Sequence, residues 1–248
     1  TKTEQQLGEV LSTVRIISRD EIVSRGYFTL DEVLSDLPGF QFRNPQSLNS
    51  YVFQRGIPNQ NNLTLVLIDG VQINELNSGG FYGGGQYNLS NVERIEIVYG
   101  PSSVEYGTNA VSGVINIITS ETDQNKGHIR GLSGNRETFL ADALLGWKND
   151  ELRRSIKLSG MVKKSGMANL KGAEGDFNWT DLLENEENDY SLGLRANYKD
   201  FIISVNYLNK QTSTISLQPS VGTSYRDYGT LWNIFFLNNS LRYKKEFS

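Results

Sequence analysis

The sequence predicts a chain in two parts, a small α+β domain followed by antiparallel strands of a transmembrane β-barrel. Three observations predict it. Residues 1–126 mix capped helical segments with short strands and tight turns, whereas period-2 alternation recurs after Gly127 in segments of about ten residues. Charge divides at the same place: residues 1–126 carry 8 Lys and Arg against 14 Asp and Glu, a net of −6, and residues 127–248 carry 16 against 14, a net of +2. The composition suits strands, turns and polar loops better than helical layers, with 38% hydrophobic residues, a mean hydropathy of −0.41, 24 glycines and 24 asparagines. No apolar run approaches the roughly 18 residues of a membrane-spanning helix, but alternating barrel strands average to a hydrophilic value and stay open as an answer.

Taken in order, Thr13–Ile17 is a short β-like run, and Ser18-Arg-Asp-Glu21 has the spacing of a capping box, in which hydroxyl and carboxylate satisfy helix-end amides reciprocally. A short helix that stops at Gly26 is predicted. Thr29-Leu-Asp-Glu32 repeats the device, with Leu30, Val33, Leu34 and Leu37 on one face until Pro38-Gly39 ends the helix. Leu63–Ile68 and Val71–Ile73 flank Asp69-Gly70, the pair that best supplies positive φ at both centres of a type I′ turn. This is a hairpin, and an Asp at its apex needs no catalytic reading. Ser90–Glu93 offers a third capping box, after which Ile95 and Ile97 alternate toward Gly100-Pro101, and Val114–Thr119 closes the part as a strand.

The second part alternates with period 2. Phe139, Ala141, Ala143, Leu145 and Trp147 oppose Leu140, Asp142, Leu144 and Gly146; Ile156, Leu158, Gly160 and Val162 oppose Lys157, Ser159, Met161 and Lys163. Tyr190, Leu192, Leu194, Ala196 and Tyr198 form the clearest apolar face, and Phe201, Ile203, Val205 and Tyr207 follow the two-residue turn Lys199-Asp200. Phe235, Leu237, Leu241 and Tyr243 make a further strand, interrupted by Asn239. Aromatic residues at strand ends suit the two membrane interfaces. The alternative is a soluble sandwich with one wet face. Residues 127–248 supply 122 positions. At roughly 20 residues per strand with its loop they give about six strands, fewer than the about 8 of the smallest single-chain barrels. An incomplete barrel, with most strands beyond Ser248, is therefore expected.

Several function classes are disfavoured. Neither half has the basic stripe that would gather nucleic acid. The absence of cysteine removes disulfides and thiol chemistry, and no signal-peptide pattern opens the sequence, so an exported chain is read here from a mature or trimmed start. With His128 as the sole histidine, neither a Cys-His pair nor a Ser-His-Asp site has a good candidate, and no enzyme, cofactor or metal site is predicted. Met161 and Met167 do not cluster with His128, which argues against bare copper or zinc capture. The acidic stretch Asp181–Asp189, with Glu184, Glu186 and Glu187, matches no EF-hand and reads as a solvated loop. Gly79–Gly85 (GGFYGGG) lacks the GK[ST] ending of a phosphate loop.

Four segments resemble the plug domain of TonB-dependent outer-membrane receptors: Thr29–Phe40 (TLDEVLSDLPGF), Val52–Gly56 (VFQRG), Leu63–Val71 (LTLVLIDGV) and Val92–Thr119 (VERIEIVYGPSSVEYGTNAVSGVINIIT). They occur in the family's order, the last is nearly diagnostic by itself, and Thr1–Val10 is similar to the stretch just after the family's TonB box. The resemblance implies a plug domain over residues 1–125 and, over residues 126–248, the first strands of a 22-stranded barrel, the size of the plugged transporters. It implies a bacterial outer-membrane location, a plug in the barrel lumen and a periplasmic N-terminus.

The implied function is energy-dependent import of a scarce large solute such as a ferric siderophore, haem, cobalamin or glycan. The implied partners are outer-membrane lipid, a TonB-type energy-coupling protein acting on a box just upstream of Thr1, and in some systems a surface lipoprotein. A plugged barrel used for surface binding or assembly without transport is the alternative. Two plug apices are expected to meet ligand: Asn44, Gln46, Asn49 and Tyr51 on one, and Phe81, Tyr82, Gln86 and Tyr87, carried on flexible glycines, on the other. Arg55 and Arg94 match plug arginines that pair with barrel glutamates in the family, and Tyr99 stands where many members have another arginine before Gly-Pro.

Overall fold

Local chemistry shapes the first helices. Strand β1 (Thr13–Ser18) runs into helix α1 (Arg19–Arg25), where the Ser18 hydroxyl accepts from the Glu21 amide at 3.2 Å and Gly26 ends the helix at φ 71. Only half of the predicted box forms, because the Glu21 carboxylate binds the Arg15 guanidinium at 2.7 and 2.9 Å. Helix α2 (Leu30–Ser35) has the complete box: Thr29 Oγ1 accepts from the Glu32 amide, and the Glu32 carboxylate accepts from the Thr29 amide at 3.0 Å. Its buried Leu30, Val33 and Leu34 follow the predicted apolar face.

The computed structural model describes residues 13–43, 50–58, 63–76, 79–107, 109–121, 125–166, 186–213 and 231–245. Two compact units make up the chain: Thr1–Arg43, Ser50–Gly83 and Asn91–Glu121 form the first, and Asn44–Asn49, Gly84–Ser90 and Thr122–Ser248 the second.

The first unit holds two sheets. In one, β2 (Phe40–Arg43) pairs with β3 (Ser50–Gln54), which also pairs with β4 (Ile57–Pro58) and β7 (Tyr82–Gly83). The other runs in the order β1-β8-β9-β5-β6, with β5 (Thr64–Ile68), β6 (Val71–Gln72), β8 (Val92–Tyr99) and β9 (Gly113–Thr119). Strands β5 and β9 are parallel, and all five residues of β5 are buried, which accounts for an unbroken apolar run in place of alternation. Ile17, Ile22, Leu30, Leu34, Val66, Ile95, Ile97 and Ile115 are essentially solvent-free. Each such side chain contributes about 1.5–3 kcal/mol relative to exposure.

The β5–β6 hairpin forms as predicted, with Asp69 at φ 49 and Gly70 at φ 80. Asp69 has a second structural duty: its carboxylate accepts from the Thr119 amide at 2.8 Å and the Thr119 hydroxyl at 2.7 Å, tying the hairpin to the end of β9. No α-helix starts at Ser90. A single 3₁₀ turn (Leu89–Asn91) leads directly into β8, and the Ser90 amide binds Asn88 Oδ1 at 2.8 Å. The β-branched alternation of Val92–Tyr99 is paired on both edges, by β1 and β9, and two ladders outweigh one cap. One-turn helix α3 (Ser103–Tyr106) was not foreseen.

In the second unit, β10 (Gly127–Gly134), β11 (Thr138–Asn149), β12 (Arg154–Gly166), β13 (Glu186–Tyr198), β14 (Phe201–Ser213) and β15 (Leu231–Tyr243) form a six-stranded antiparallel meander. Strand β15 continues through Asn239, which pairs with Val205. Exposure decides between barrel and soluble sandwich. Phe139, Leu145, Ile156, Leu158, Val162, Leu192, Phe235 and Leu237 are 45–68% exposed, while Asp142, Lys157, Ser159, Glu187, Asp189, Lys210 and Thr212 are buried. A sheet that buries its charged face and exposes its apolar one is built for lipid outside and a polar lumen inside. Strands of 12 or 13 residues in β11–β15 are long enough to cross the hydrocarbon core when tilted.

Candidate functional site

The most constrained polar group in the second unit arises from register. Lys163 on β12 lies directly across from Asp189 on β13, which lies directly across from Lys210 on β14. Period-2 geometry puts all three on the buried face, with Glu187 two residues before Asp189 on the same face. Glu187 accepts from Lys163 Nζ at 2.7 Å and from Lys210 Nζ at 3.1 Å, and Lys210 Nζ lies 3.6 Å from Asp189 Oδ2. Two carboxylates and two ammoniums cancel formally, which makes a buried cluster tolerable where a single buried charge would cost several kcal/mol, of order 3–5.

Onto this cluster comes the glycine run. The Gly85 amide donates to Asp189 Oδ2 at 2.7 Å. A Cβ on Gly84 would overlap Lys210 Nζ, and one on Gly85 would overlap the Lys163 Cδ. Only a backbone without side chains approaches so closely. Gly84 also sits at φ +152. Beside this cluster, on the same face, Asp142 accepts a bidentate pair from Arg130 at 2.8–3.1 Å, with His128 Nε2 at 3.7 Å. Among the described residues no group of three or more His, Cys, Asp or Glu could hold a metal ion.

Glu187 and Asp189 correct the reading of 181–189 as one solvated loop: both stand in β13, buried, because neighbouring strands supply their ammonium partners. Residues 181–185 lie outside the described residues. Sequence reasoning also treats the glycines as flexible and the side chains between them as an adaptable surface. The structure uses glycine for close approach, and Phe81, Tyr82, Gln86 and Tyr87 are all buried. Asn44, Gln46 and Asn49 lie outside the described residues. Tyr51, on β3, is the backbone partner of Tyr82 on β7, so the two predicted apices supply adjacent strands. Gln86 and Tyr87 belong with the Gly84–Ser90 segment of the second unit.

The two predicted arginines have partners within the first unit. Arg55, at φ 52, holds its guanidinium 5.0 Å over the Tyr99 ring, and Arg94 Nε donates to Glu96 Oε1 at 2.8 Å. Glu96 also accepts from the Asn116 amide at 3.2 Å. Tyr99 therefore serves as a platform for a neighbouring arginine. Burial pushes its hydroxyl above the ordinary tyrosine value, against the opposing pull of Arg55 and Arg15. Lys163, Glu187, Asp189 and Lys210 were not foreseen as a site. The available signal was charge at the inward positions of otherwise alternating strands, which a lone sequence does not pair.

Comparison with known proteins adds four findings. A family model described as TonB-dependent Receptor Plug Domain matches residues 6–114. A vitamin B12 transporter, BtuB, of Vibrio vulnificus (strain CMCP6) is 32% identical over 168 residues, covering 66% of this chain and 26% of that protein. Among solved structures, the ferric yersiniabactin uptake receptor FyuA from Yersinia pestis aligns over 82% of this chain and 32% of its own, with a TM-score of 0.63 at 20% identity. The pyoverdine outer membrane receptor FpvA from Pseudomonas aeruginosa PAO1 aligns over 84% and 29%, with a TM-score of 0.65 at 14% identity. The last two likenesses concern the fold. The chain thus spans about a quarter of the length of the curated relative.

Proposed function

We propose, from the premise that this chain belongs to the TonB-dependent receptor family, that it forms the plug and early barrel strands of an outer-membrane receptor importing a scarce large solute. Residues 1–125 would be the plug and residues 126–248 the barrel strands. One conjunction carries the reading: a plug-family match over residues 6–114 is followed by a strand meander with its charged face buried and its apolar face exposed. The relatives are named for vitamin B12, ferric yersiniabactin and pyoverdine. All are large solutes, and a ferric siderophore, haem, cobalamin or glycan is the class proposed here.

In this reading, Asn44, Gln46, Asn49, Tyr51, Phe81, Tyr82, Gln86 and Tyr87 form the ligand-facing set. Burial of the last four means that ligand reaches them as the surrounding segments rearrange. An inner-membrane energy-coupling protein acts through a TonB box N-terminal to the plug, and Arg55 and Arg94 hold the plug by pairing with barrel carboxylates in addition to their contacts with Tyr99 and Glu96. The plug lies in the lumen with its N-terminus periplasmic.

The test is uptake of candidate solutes by cells expressing the receptor, with and without the TonB box. Deletion should abolish uptake and spare surface binding. Absence of energy-dependent uptake for every scarce nutrient tried would overturn the transport reading, and loss of both activities would overturn the proposed coupling. Tyr82→Ala combined with Gln86→Ala should weaken capture; unchanged affinity would move recognition to other residues.

A further inference from the structure

At the end of the meander joined by the short connections 150–153 and 199–200, one outward row of residues crosses five strands: Asn149, Arg154, Tyr198, Phe201 and Tyr243 are successive backbone partners. Two residues further into each strand lies the row Trp147, Ile156, Ala196, Ile203 and Leu241. The first row is cationic and aromatic, the second apolar. Such a step marks the boundary between headgroups and hydrocarbon. At the opposite end the strands are separated in sequence by 135–137, 167–185 and 214–230, two of them far longer than any connection at this end, and barrels place their shorter turns on the periplasmic side.

Two cations in this step share one ring. The Arg154 guanidinium lies 4.9 Å and Lys199 Nζ 5.3 Å from the centre of the Tyr198 ring, which is 45% exposed. They are therefore no more than roughly 10 Å apart, a distance at which like charges still repel near a low-dielectric surface. Adjacent cations are neutralised: Arg153 by Asp200 at 2.8 Å and Lys148 by Asp150 at 2.9 Å. Among the described residues no carboxylate pairs with Arg154 or Lys199. Lys199 also occupies a turn position at φ 53, where glycine or asparagine is less strained, and its amide is fixed on the Arg153 carbonyl at 2.8 Å.

We infer that Arg154 and Lys199, spaced by the Tyr198 ring, bind the phosphodiester of an anionic phospholipid in the periplasmic leaflet, with its acyl chains along the Ile156–Ala196–Ile203 row. The ring holds the two cations near each other, the phosphodiester supplies the missing negative charge, and the apolar row continues the site into the bilayer. This rests on the outer-membrane reading above.

The experiment places the whole receptor in nanodiscs of phosphatidylcholine containing phosphatidylglycerol and measures retained lipid by native mass spectrometry. Phosphatidylglycerol should be retained in preference to phosphatidylcholine. Arg154→Gln and Lys199→Gln should each lower that preference about fivefold, and the pair should remove it. Lys164→Gln, on the outward face at the other end, should leave it unchanged. The charge-keeping pair Arg154→Lys with Lys199→Arg should retain it, which separates lost charge from lost folding. An unchanged ratio in the double Gln variant, an equal loss in Lys164→Gln, or displacement of phosphatidylglycerol by inorganic phosphate would overturn the inference. Failure to enter the bilayer would sink the membrane reading as well, whereas entry without lipid preference would sink the lipid site alone.

Discussion

Replacing Asp189 by Ala removes the acceptor of the Gly85 amide and one of the two carboxylates facing Lys210. Lys210 keeps Glu187 at 3.1 Å and Glu187 keeps Lys163 at 2.7 Å, but one carboxylate then faces two ammoniums, an imbalance within the strands that Asp189→Asn shares and that is separate from the hold on residues 84–90. What disappears is a 2.7 Å charge-assisted bond to a fully buried carboxylate. Bonds of this kind contribute about 1.5–3 kcal/mol, so protection of the segment against hydrogen exchange should fall about 10- to 150-fold. Asp189→Asn retains a neutral acceptor and should fall by less, in the range of about 0.5–1.5 kcal/mol.

The assay is amide hydrogen exchange read by mass spectrometry on a peptide covering residues 84–90, with a peptide from β5 as internal reference. Faster exchange at 84–90 with unchanged exchange at Thr64–Ile68 is the expected pattern. Wild-type exchange of the segment in Asp189→Ala would refute the reasoning. Faster exchange everywhere would show that Asp189 supports the whole fold and not one segment.

Three further outcomes follow from the first unit. Gly113→Ala puts a Cβ against the Val98 carbonyl at φ +155 and disturbs the buried Gln54 amide, which donates to that carbonyl at 3.1 Å; a loss of about 2–5 kcal/mol is expected in denaturant unfolding. Asp69→Ala gives up both Thr119 bonds at a left-handed position and should cost about 2–4 kcal/mol, with Asp69→Asn milder, read from the same unfolding midpoints. Tyr106 packs against the Leu65, Leu67, Val98, Ala110 and Val114 cluster, and among the described residues its hydroxyl has no hydrogen-bond partner, so Tyr106→Phe should leave stability at neutral pH unchanged or raised. Burial pushes that hydroxyl up to about 12, against about 10 in the unfolded chain. Its contribution is therefore fully present below pH 10 and lost as pH rises toward 12, and Tyr106→Phe should flatten the alkaline fall of the unfolding midpoint.

What was legible in the sequence was local. Ser18, Thr29 and the Asp69-Gly70 pair act within a few residues, and alternation in β11–β15 needs only a period of 2. Strand β10 escaped notice because its outward positions include Gly127, Gly131 and Ser133, which give alternation no apolar contrast. Ser90–Glu93 has the spacing of a capping box without a helix, because Val92–Tyr99, whose alternation was visible, is claimed by strands from both sides. At the site, motif positions such as Arg55 and Arg94 were visible but their partners were not. The Gly85–Asp189 bond spans 104 residues, and no local rule reports a pairing at that separation.

Two unremarkable readings, a glycine-rich loop and an acidic stretch, became one structure once register brought Lys163, Asp189 and Lys210 into a row. The composition of that row bears on how residues 84–90 can be held and released. Glu187 is satisfied by Lys163 and Lys210 from strands alone, and Lys210 faces both carboxylates without help from the glycine segment. Departure of the segment therefore breaks one strong bond, from the Gly85 amide, and strands no ion pair. Had the segment supplied a charge, its release would leave a buried uncompensated ion at a cost of about 3–5 kcal/mol. Supplying backbone from glycine instead keeps that cost near the about 1.5–3 kcal/mol of a single charge-assisted bond. A segment held by one backbone bond is thus fixed at rest and released at a lower cost than one that carries a buried charge.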